Sequence, residues 1–247
     1  MANNPTFEFA LRMGDNCLIL GQNVSAWCGH APILEEDIAL ANVSLDLIGQ
    51  TRMWLGLAGE IEGAGRSADD LAFLRDVREF RNCLLVEQPN GDFGQTLMRQ
   101  FLFDAWHHPM LKLLAGSADT RVAEIAEKSV KEAAYHLERS ADLVIRLGDG
   151  SDESHRRMQA ALDRLWCYTG ELMATDAIDE TIAGSGLGKI EAQYKDYTSK
   201  VFVEATLTVP EISFMQKGGK AGIHTEALGH MLADMQVLQR SHPGAQW

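Results

Sequence analysis

Apolar residues recur every three or four positions along nearly the whole chain, and this spacing predicts an all-α protein. Clusters of glycine, proline and asparagine separate the helical stretches, most clearly in the turn-forming run at residues 88–92. Helices are predicted over residues 6–27, over a segment that Pro32 opens, and over residues 71–80, 93–114, 120–147, 152–179, 189–204 and 224–240. Residues 207–222 are expected to be irregular. The pattern predicts one domain over residues 1–247.

Each of the four long predicted helices has one acidic residue on the stripe that we expect to face the core. These residues are Asp15, Asp46, Asp104 and Glu132. On the second helix the expected inward stripe consists of Ile38, Asn42, Leu45, Asp46, Gly49 and Met53. A carboxylate-bridged di-metal bundle takes one Glu from each of two helices and a Glu-x-x-His pair from each of the other two. The chain therefore has carboxylates where such a site would have them.

The imidazoles of a di-metal site are missing at the expected spacing. The residue three after Asp46 is Gly49, and the residue three after Glu132 is Tyr135. Two other histidines offer alternative ligands: His107, three residues after Asp104, and His136, four residues after Glu132. Because i+3 and i+4 lie about 100° apart around a helix, His136 would approach the carboxylate from the opposite flank.

We interpret the four acids as an internal network of ion pairs and hydrogen bonds, with no metal and no catalytic residue in this chain. An isolated buried charge is very costly, so a carboxylate in a core must be paired. Predicted partners near in sequence are Arg12, Arg52, Arg99, Lys131, Tyr135 and His136. The alternative is a di-iron oxygenase or metal-binding protein in its own right, with Asp46, Asp104, His107, Glu132 and His136 as ligands.

Composition excludes several other classes of protein. The net charge of −13 argues against a nucleic-acid binder, which needs a basic surface to meet phosphate. The four cysteines contain no C-x-x-C pair, so a zinc ribbon or redox dithiol is not expected. We find no secretory signal pattern and no run of 18 apolar residues, and we therefore expect a cytoplasmic protein that does not enter a membrane.

One short segment has the composition of an anion site. Lys217 and Lys220 flank two glycines, and this pattern could hold the phosphates of coenzyme A. Its spacing differs from that of a phosphate-binding loop, and a solvated surface turn is the more common explanation. A module that binds acyl-coenzyme A without chemistry therefore remains a third interpretation.

Several long segments resemble one protein family, the C subunits of phenylacetyl-CoA epoxidase complexes, also called ring 1,2-phenylacetyl-CoA monooxygenases. The segments are LRMGDNCLILGQ, WCGHAPILEEDIALANVSLDLIGQTR, LLVEQPNGDFGQTLMRQFLFDAWH, KEAAYHLERS, LTVP, GGKAGIHTEALGHMLADMQVLQR and PGAQW. The similarity runs from about residue 9 to Trp247 and is weakest over residues 59–70, 115–130 and 183–216.

The resemblance implies a ferritin-like helical bundle with additional C-terminal helices and a role in aerobic phenylacetate degradation. It implies a catalytic A subunit that carries the di-iron centre, a small B subunit, and a C subunit that supports the A subunit without a working metal site. This chain would then be a structural subunit that holds no cofactor. Alone, it is expected to dimerise through the surface that meets its partner.

Overall fold

The computed structural model describes residues 4–245, except for the side chain of Ser185, so Trp247 lies outside the described part. Ten α-helices and no strands are found in this part. The helices are α1 (Pro5–Ser25), α2 (Leu34–Glu62), α3 (Ala68–Phe73), α4 (Phe93–Leu114), α5 (Thr120–Gly148), α6 (Asp152–Leu165), α7 (Gly170–Met173), α8 (Ala177–Ala183), α9 (Leu187–Glu204) and α10 (Glu226–Ser241). The predicted all-α class is confirmed.

Side-chain caps fix the beginnings of three of the long helices. Asn4, Asp92 and Asp119 accept hydrogen bonds from the first backbone amides of α1, α4 and α5, which have no partner within the helix. Helix α2 has no side-chain cap, but three acidic residues in its first turn suit the positive end of the helix dipole. Helix α4 continues through Pro109.

Two of the predicted helices differ from the structure. The helix predicted over residues 71–80 begins earlier, because Ser67 and Asp70 form a capping box, and it ends at Phe73. The helix predicted over residues 152–179 is divided into α6, α7 and α8. Asp176 accepts hydrogen bonds from the amides of Ile178 and Asp179 and so begins a new helix where the pattern predicted a continuous one.

The four long helices form two hairpins. In the first, α1 and α2 pack antiparallel, since Gly14 lies against Leu55 and Gly21 lies against Leu47. A Cβ atom on Gly14 would lie 2.6 Å from Leu55 Cδ2, so the two helices approach too closely for a larger residue there. In the second hairpin, α4 and α5 are joined by residues 115–119 and also run antiparallel.

The hairpins are connected by a long crossover. Cys17 of α1 contacts His107 of α4, and Trp27 after α1 donates to Thr96 of α4, so α1 and α4 are antiparallel. Helices α2 and α4 therefore run in the same direction, and residues 63–92 must return along the bundle between them. A four-helix bundle with one long crossover is the ferritin-like arrangement, as the resemblance predicted. We call residues 63–92 the crossover segment.

The predicted inward stripe of α2 is wrong by about one residue. Ile38 and Leu45 are 54% and 66% exposed, whereas Leu47 and Trp54 are fully buried. Helix α2 carries apolar residues on most of its circumference, so periodicity alone does not choose its core face. The close contact with α1 determines which face of α2 points into the core, because bulky side chains of α2 fill the space beside Gly14 and Gly21.

The crossover segment contains a buried run without α-helix at residues 82–88. Its backbone groups are satisfied by side chains from distant parts of the chain. Asn16 accepts from the Cys83 amide at 2.8 Å, Glu171 accepts from the Leu84 amide at 2.8 Å, and Asn23 donates to the Val86 carbonyl at 2.9 Å. A buried connection is stable only with such partners.

The later helices pack around the second hairpin and the ends of the first. Helices α6 and α9 contact α4 and α5, α8 contacts α1, and α10 contacts α3. Within residues 4–245, no helix combines the length and the apolar character needed to cross a bilayer.

Candidate functional site

A group of polar side chains lies in the middle of the bundle, at the level where a ferritin-like protein would hold metals. All of its members are buried, and they belong to the four long helices. We call them the polar centre: Cys17, Gln50, Gln100, Asp104, His107, His136 and Ser140. Two further acids, Asp46 and Glu132, lie at the seam between α2 and α5.

The two acids at the seam are each bound by a residue of the facing helix. His136 Nε2 lies 2.9 Å from Asp46 Oδ2, and Gln50 Nε2 donates to Glu132 Oε2 at 2.9 Å. The Asp46 side chain is 35% exposed and that of His136 is buried, so the pair connects the interior to the surface. Burial and the nearby Asp46 charge raise the pKa of Glu132, although the Gln50 bond opposes them.

Asp104 is the acid of the polar centre, and it is almost fully buried. Gln100 donates to its Oδ1 at 2.7 Å, and Ser140 donates to its Oδ2 at 2.9 Å. Burial raises its pKa to about 6, because two neutral donors and the more distant His136 only partly replace water. Asp104 is therefore held by neutral hydrogen bonds and has no cation in direct contact.

His107 is neutral and packed among aromatic rings. Its ring lies 4.9 Å from Phe103 and 6.2 Å from Trp106, measured between centroids. Burial lowers the pKa of His107 to about 3. The Cys17 sulfur lies 3.9 Å from His107 Nε2, and burial raises the pKa of Cys17, so this thiol stays protonated.

Some polar atoms of this centre have no hydrogen-bond partner among the described residues. They are Nδ1 of His107, Nδ1 of His136 and Oε1 of Gln100. Buried polar groups are normally satisfied, and internal water usually satisfies those that the protein does not.

Asp15 does not join the other three acids. Its carboxylate is fully buried but turns toward the crossover segment, where Arg75 Nη1 donates to it at 3.0 Å and the Arg81 amide at 2.8 Å. The sequence did not indicate Arg75, because the helix predicted over residues 71–80 ends at Phe73 and Arg75 lies in the connection that follows.

Most of the predicted charge partners are also wrong. His136 does contact Asp46, as predicted. Arg12, however, pairs with Asp176 and Asp179 of α8, and the buried Arg99 donates to the Gln88 carbonyl and to Asn90. Arg52, Lys131 and Tyr135 are exposed on the outer faces of α2 and α5. The neutral donors that hold Asp104 and Glu132 were not identified from the sequence, although Gln50 and Gln100 lie one helical turn from Asp46 and Asp104.

The residues of the polar centre do not fit a di-metal site. Three residues before Gln50 on α2 and before His136 on α5 stand Leu47 and Ala133, which are also buried. A Glu-x-x-His pair needs a carboxylate at the first position, and neither leucine nor alanine has a ligand atom. Gly49 and Tyr135 are both exposed, so an imidazole at either position would point out of the bundle. Among residues 4–245, no three His, Cys, Asp or Glu side chains are placed to hold one ion.

Over residues 1–247 the chain matches the family described as phenylacetic acid catabolic protein. The chain belongs to this family. A relative, the C subunit of 1,2-phenylacetyl-CoA epoxidase from Escherichia coli strain K12, is 48% identical over 248 residues, which cover 99% of this chain and 100% of the relative. The predicted resemblance is confirmed. In this family member, the motif segments supply all seven residues of the polar centre.

The lysine and glycine segment of this phenylacetic acid catabolic protein binds a carboxylate of its own chain. The amides of Gly218 and Lys220 donate to Glu171 Oε1 at 2.8 and 3.3 Å. Lys220 Nζ contacts Asp179 at 2.8 Å, and Lys217 is exposed. The predicted contact of Lys217 and Lys220 with coenzyme A stays a prediction, and Glu171 already occupies two of the amides that would cradle a phosphate.

Replacing Asp104 by Asn is expected to raise the free energy of unfolding at pH 7.5 by on the order of 2 kcal/mol. This figure follows from the difference between the pKa of Asp104 in the folded protein, about 6, and the ordinary value of an aspartate, near 3.9. An acid whose pKa is raised on folding contributes stability below about pH 4, and this contribution is lost as pH rises through about 6. Asparagine resembles the protonated acid, so the variant should lose this pH dependence. Urea denaturation of both proteins between pH 4 and pH 8 measures how the free energy of unfolding depends on pH.

Asp142→Asn provides the matched control, because Asp142 is an exposed acid on α5. It should change the free energy of unfolding by less than about 0.5 kcal/mol. A clear loss of stability at pH 7.5 in Asp104→Asn would contradict the assignment of Asp104 as a carboxylate without a compensating cation.

Proposed function

We propose that this chain is a non-catalytic structural subunit of a 1,2-phenylacetyl-CoA epoxidase, in which it supports the di-iron catalytic A subunit. The single observation that carries the proposal is the identity of the inward residues. Leu47 and Ala133 stand where a Glu-x-x-His bundle needs carboxylates, and Gln50 stands where it needs an imidazole. The 48% identity to the C subunit of the Escherichia coli enzyme supports the same function.

The proposed partners are the A subunit, the small B subunit and, for the chain alone, a second copy of itself. An exposed apolar strip on the outer side of α2 and α5 supports such contacts. Ile38 and Leu45 on α2 and Tyr135 on α5 are each more than half exposed, and a Cβ atom on Gly49 of α2 would meet no other atom within 4 Å. A partner helix that covered this strip would bury apolar surface that now faces water.

The iron content of the purified chain separates this proposal from a di-iron protein in its own right. After anaerobic loading with ferrous iron and desalting, we expect well under one iron per chain by mass spectrometry. An A-type subunit prepared in parallel serves as the positive control. Close to two irons per chain, lost together in Asp46→Asn and Glu132→Gln, would contradict the non-catalytic assignment.

Co-expression tests the supporting function directly. The A-type partner produced with this chain is expected to be soluble, loaded with iron and active, and the same partner produced alone is expected to precipitate or lose iron. Leu45→Lys with Tyr135→Lys places two charges in the apolar strip and should weaken co-purification. An A-type partner that stayed soluble and active in the absence of this chain would overturn the proposal.

A further inference from the structure

An open groove lies between α4, α5 and α9, on the outer side of α4 from the polar centre. It has a volume of about 420 Å³, which is within the size range of small-molecule sites. Its walls are mostly apolar, and its lining residues include Ala105, Pro109, Ala134 and Leu137. Small side chains and the proline ring leave the space between the helices unfilled.

Five of the six polar residues that line the groove, all but Asp196, form no side-chain hydrogen bond or ion pair among the described residues. His108, Lys112 and Tyr197 line the groove, and within residues 4–245 none of their side chains forms a hydrogen bond or an ion pair. His108 and Tyr197 are half-buried, so they are separated from most of the solvent without protein groups to replace it. A small number of convergent polar groups on an apolar surface is the usual composition of a ligand site.

The charges of the groove are separated along its length. Burial and the nearby Lys112 lower the pKa of His108, so its ring is neutral and offers one N–H donor beside the ammonium. Contact between Ser140 and Asp104 sets the antiparallel register of α4 and α5 and places Glu138 beside residue 106. At a rise of 1.5 Å per residue, Glu138 lies about 9 Å along the axis from Lys112.

The end of the groove near Glu138 is aromatic. The Tyr197 ring lies 6.4 Å from Phe101, measured between centroids, and burial together with the charges of Glu138 and Asp104 raises the pKa of its hydroxyl. The other acid of the groove, Asp196, is paired with Lys200 at 2.7 Å. One end therefore offers a cation and an N–H donor, and the other end offers a neutral phenol ring.

We propose that this groove binds a small aromatic monocarboxylate, with the carboxylate on Lys112 and His108 and the ring between Pro109, Leu137 and Tyr197. The span of about 9 Å suits one ring and a short carboxylate arm. A dianion is disfavoured because Glu138 would face its second charge. The site would bind without chemistry, and it does not depend on whether the chain supports an epoxidase.

Calorimetric titration of the full chain with phenylacetate tests the proposal. We expect one site per chain with a Kd of roughly 0.1 to 1 mM, the range of a small ligand in an open groove. Lys112→Gln should weaken binding roughly tenfold, because it removes a charge-assisted contact. Phenylacetamide, a neutral molecule of the same shape, should bind wild type and Lys112→Gln equally.

Two further variants keep the result interpretable. Lys128→Gln removes an exposed lysine of α5 outside the groove and should leave the Kd unchanged. Ala134→Trp fills the groove and should abolish binding of both ligands while circular dichroism remains that of the wild type. Absence of saturable phenylacetate binding up to about 10 mM, or equal affinity in wild type and Ala134→Trp, would overturn the proposal.

Discussion

Replacing Asp15 by Asn is expected to lower the free energy of unfolding by about 3–5 kcal/mol. The substitution removes the carboxylate that accepts from both terminal nitrogens of Arg75 and from the Arg81 amide. Both side chains of the ion pair are almost completely buried, so Arg75 would keep its charge without a counter-charge or water. Urea denaturation followed by circular dichroism measures the change.

A double variant distinguishes the unpaired charge from a loss of packing. Asp15→Asn combined with Arg75→Gln removes both charges and should recover part of the lost stability, because the cost of a broken buried pair arises mainly from the remaining ion. The exposed pair of Asp196 and Lys200 is the matched control, and Asp196→Asn should change stability by less than about 1 kcal/mol. Equal effects of Asp15→Asn and Asp196→Asn would refute the importance of the buried pair.

Replacing Glu87 by Gln is expected to destabilise the protein by about 3–5 kcal/mol near pH 6. The Glu87 carboxylate is fully buried and accepts from Asn82 at 2.9 Å, from the Thr225 amide at 2.6 Å and from His224 Nδ1 at 2.8 Å. The second ring nitrogen of His224 faces the Phe80 carbonyl at 3.0 Å. Because both neighbours of the ring are acceptors, His224 is held as an imidazolium.

This pair also predicts the direction of a pH dependence. Burial alone would lower the pKa of His224, but the hydrogen bond and the charge of Glu87 outweigh it and raise the pKa. A base whose pKa is raised on folding contributes its full stability below its ordinary value, near 6.5, and loses it as pH rises through the folded value. Wild type should therefore lose stability above pH 6.5, and Glu87→Gln should lose less.

The free energy of unfolding, measured at several pH values between 6 and 9 for wild type and Glu87→Gln, tests the predicted pH dependence. His230→Gln is the matched control, since His230 is an exposed histidine that approaches Glu226 on α10. It should leave both the stability and its pH dependence unchanged. A wild-type protein that became more stable as pH rose from 6.5 to 9 would show that Glu87 does not hold His224 as a cation.

The sequence predicted the positions of the long helices along the chain more accurately than the faces that they turn toward the core. The polar and apolar residues of α5 are well separated, so their spacing alone predicts its buried face, and the residues on that face from Val122 to Ser140 are buried. Helix α2 is apolar on several sides, so its core face depends on the glycines of α1. The core face of α2 is therefore set by tertiary contacts. As a result, Asp46 lies at the seam with α5 and not in the centre of the bundle, where the sequence predicted it.

The candidate site was also predicted only in part. Asp104, His107 and His136 do lie together at the level of the seam acids. Their partners were missed because Gln50, Gln100 and Ser140 carry no charge, and neutral donors give no sequence signal. Arg75 was missed because a helix was predicted over residues 71–80 whereas α3 ends at Phe73, and Glu87 was missed because it lies in the irregular run at residues 82–88.

The buried run at residues 82–88 has a consequence for the order in which the protein assembles. The amide of Leu84 is bound to Glu171, which lies 87 positions later in the chain, and the amide of Cys83 is bound to Asn16, 67 positions earlier. Each bond forms only after two residues far apart in the chain have come together, and closing such long loops is slow. These two amides should therefore become protected from hydrogen exchange late in refolding, although helical amides of α1 and α5 become protected early.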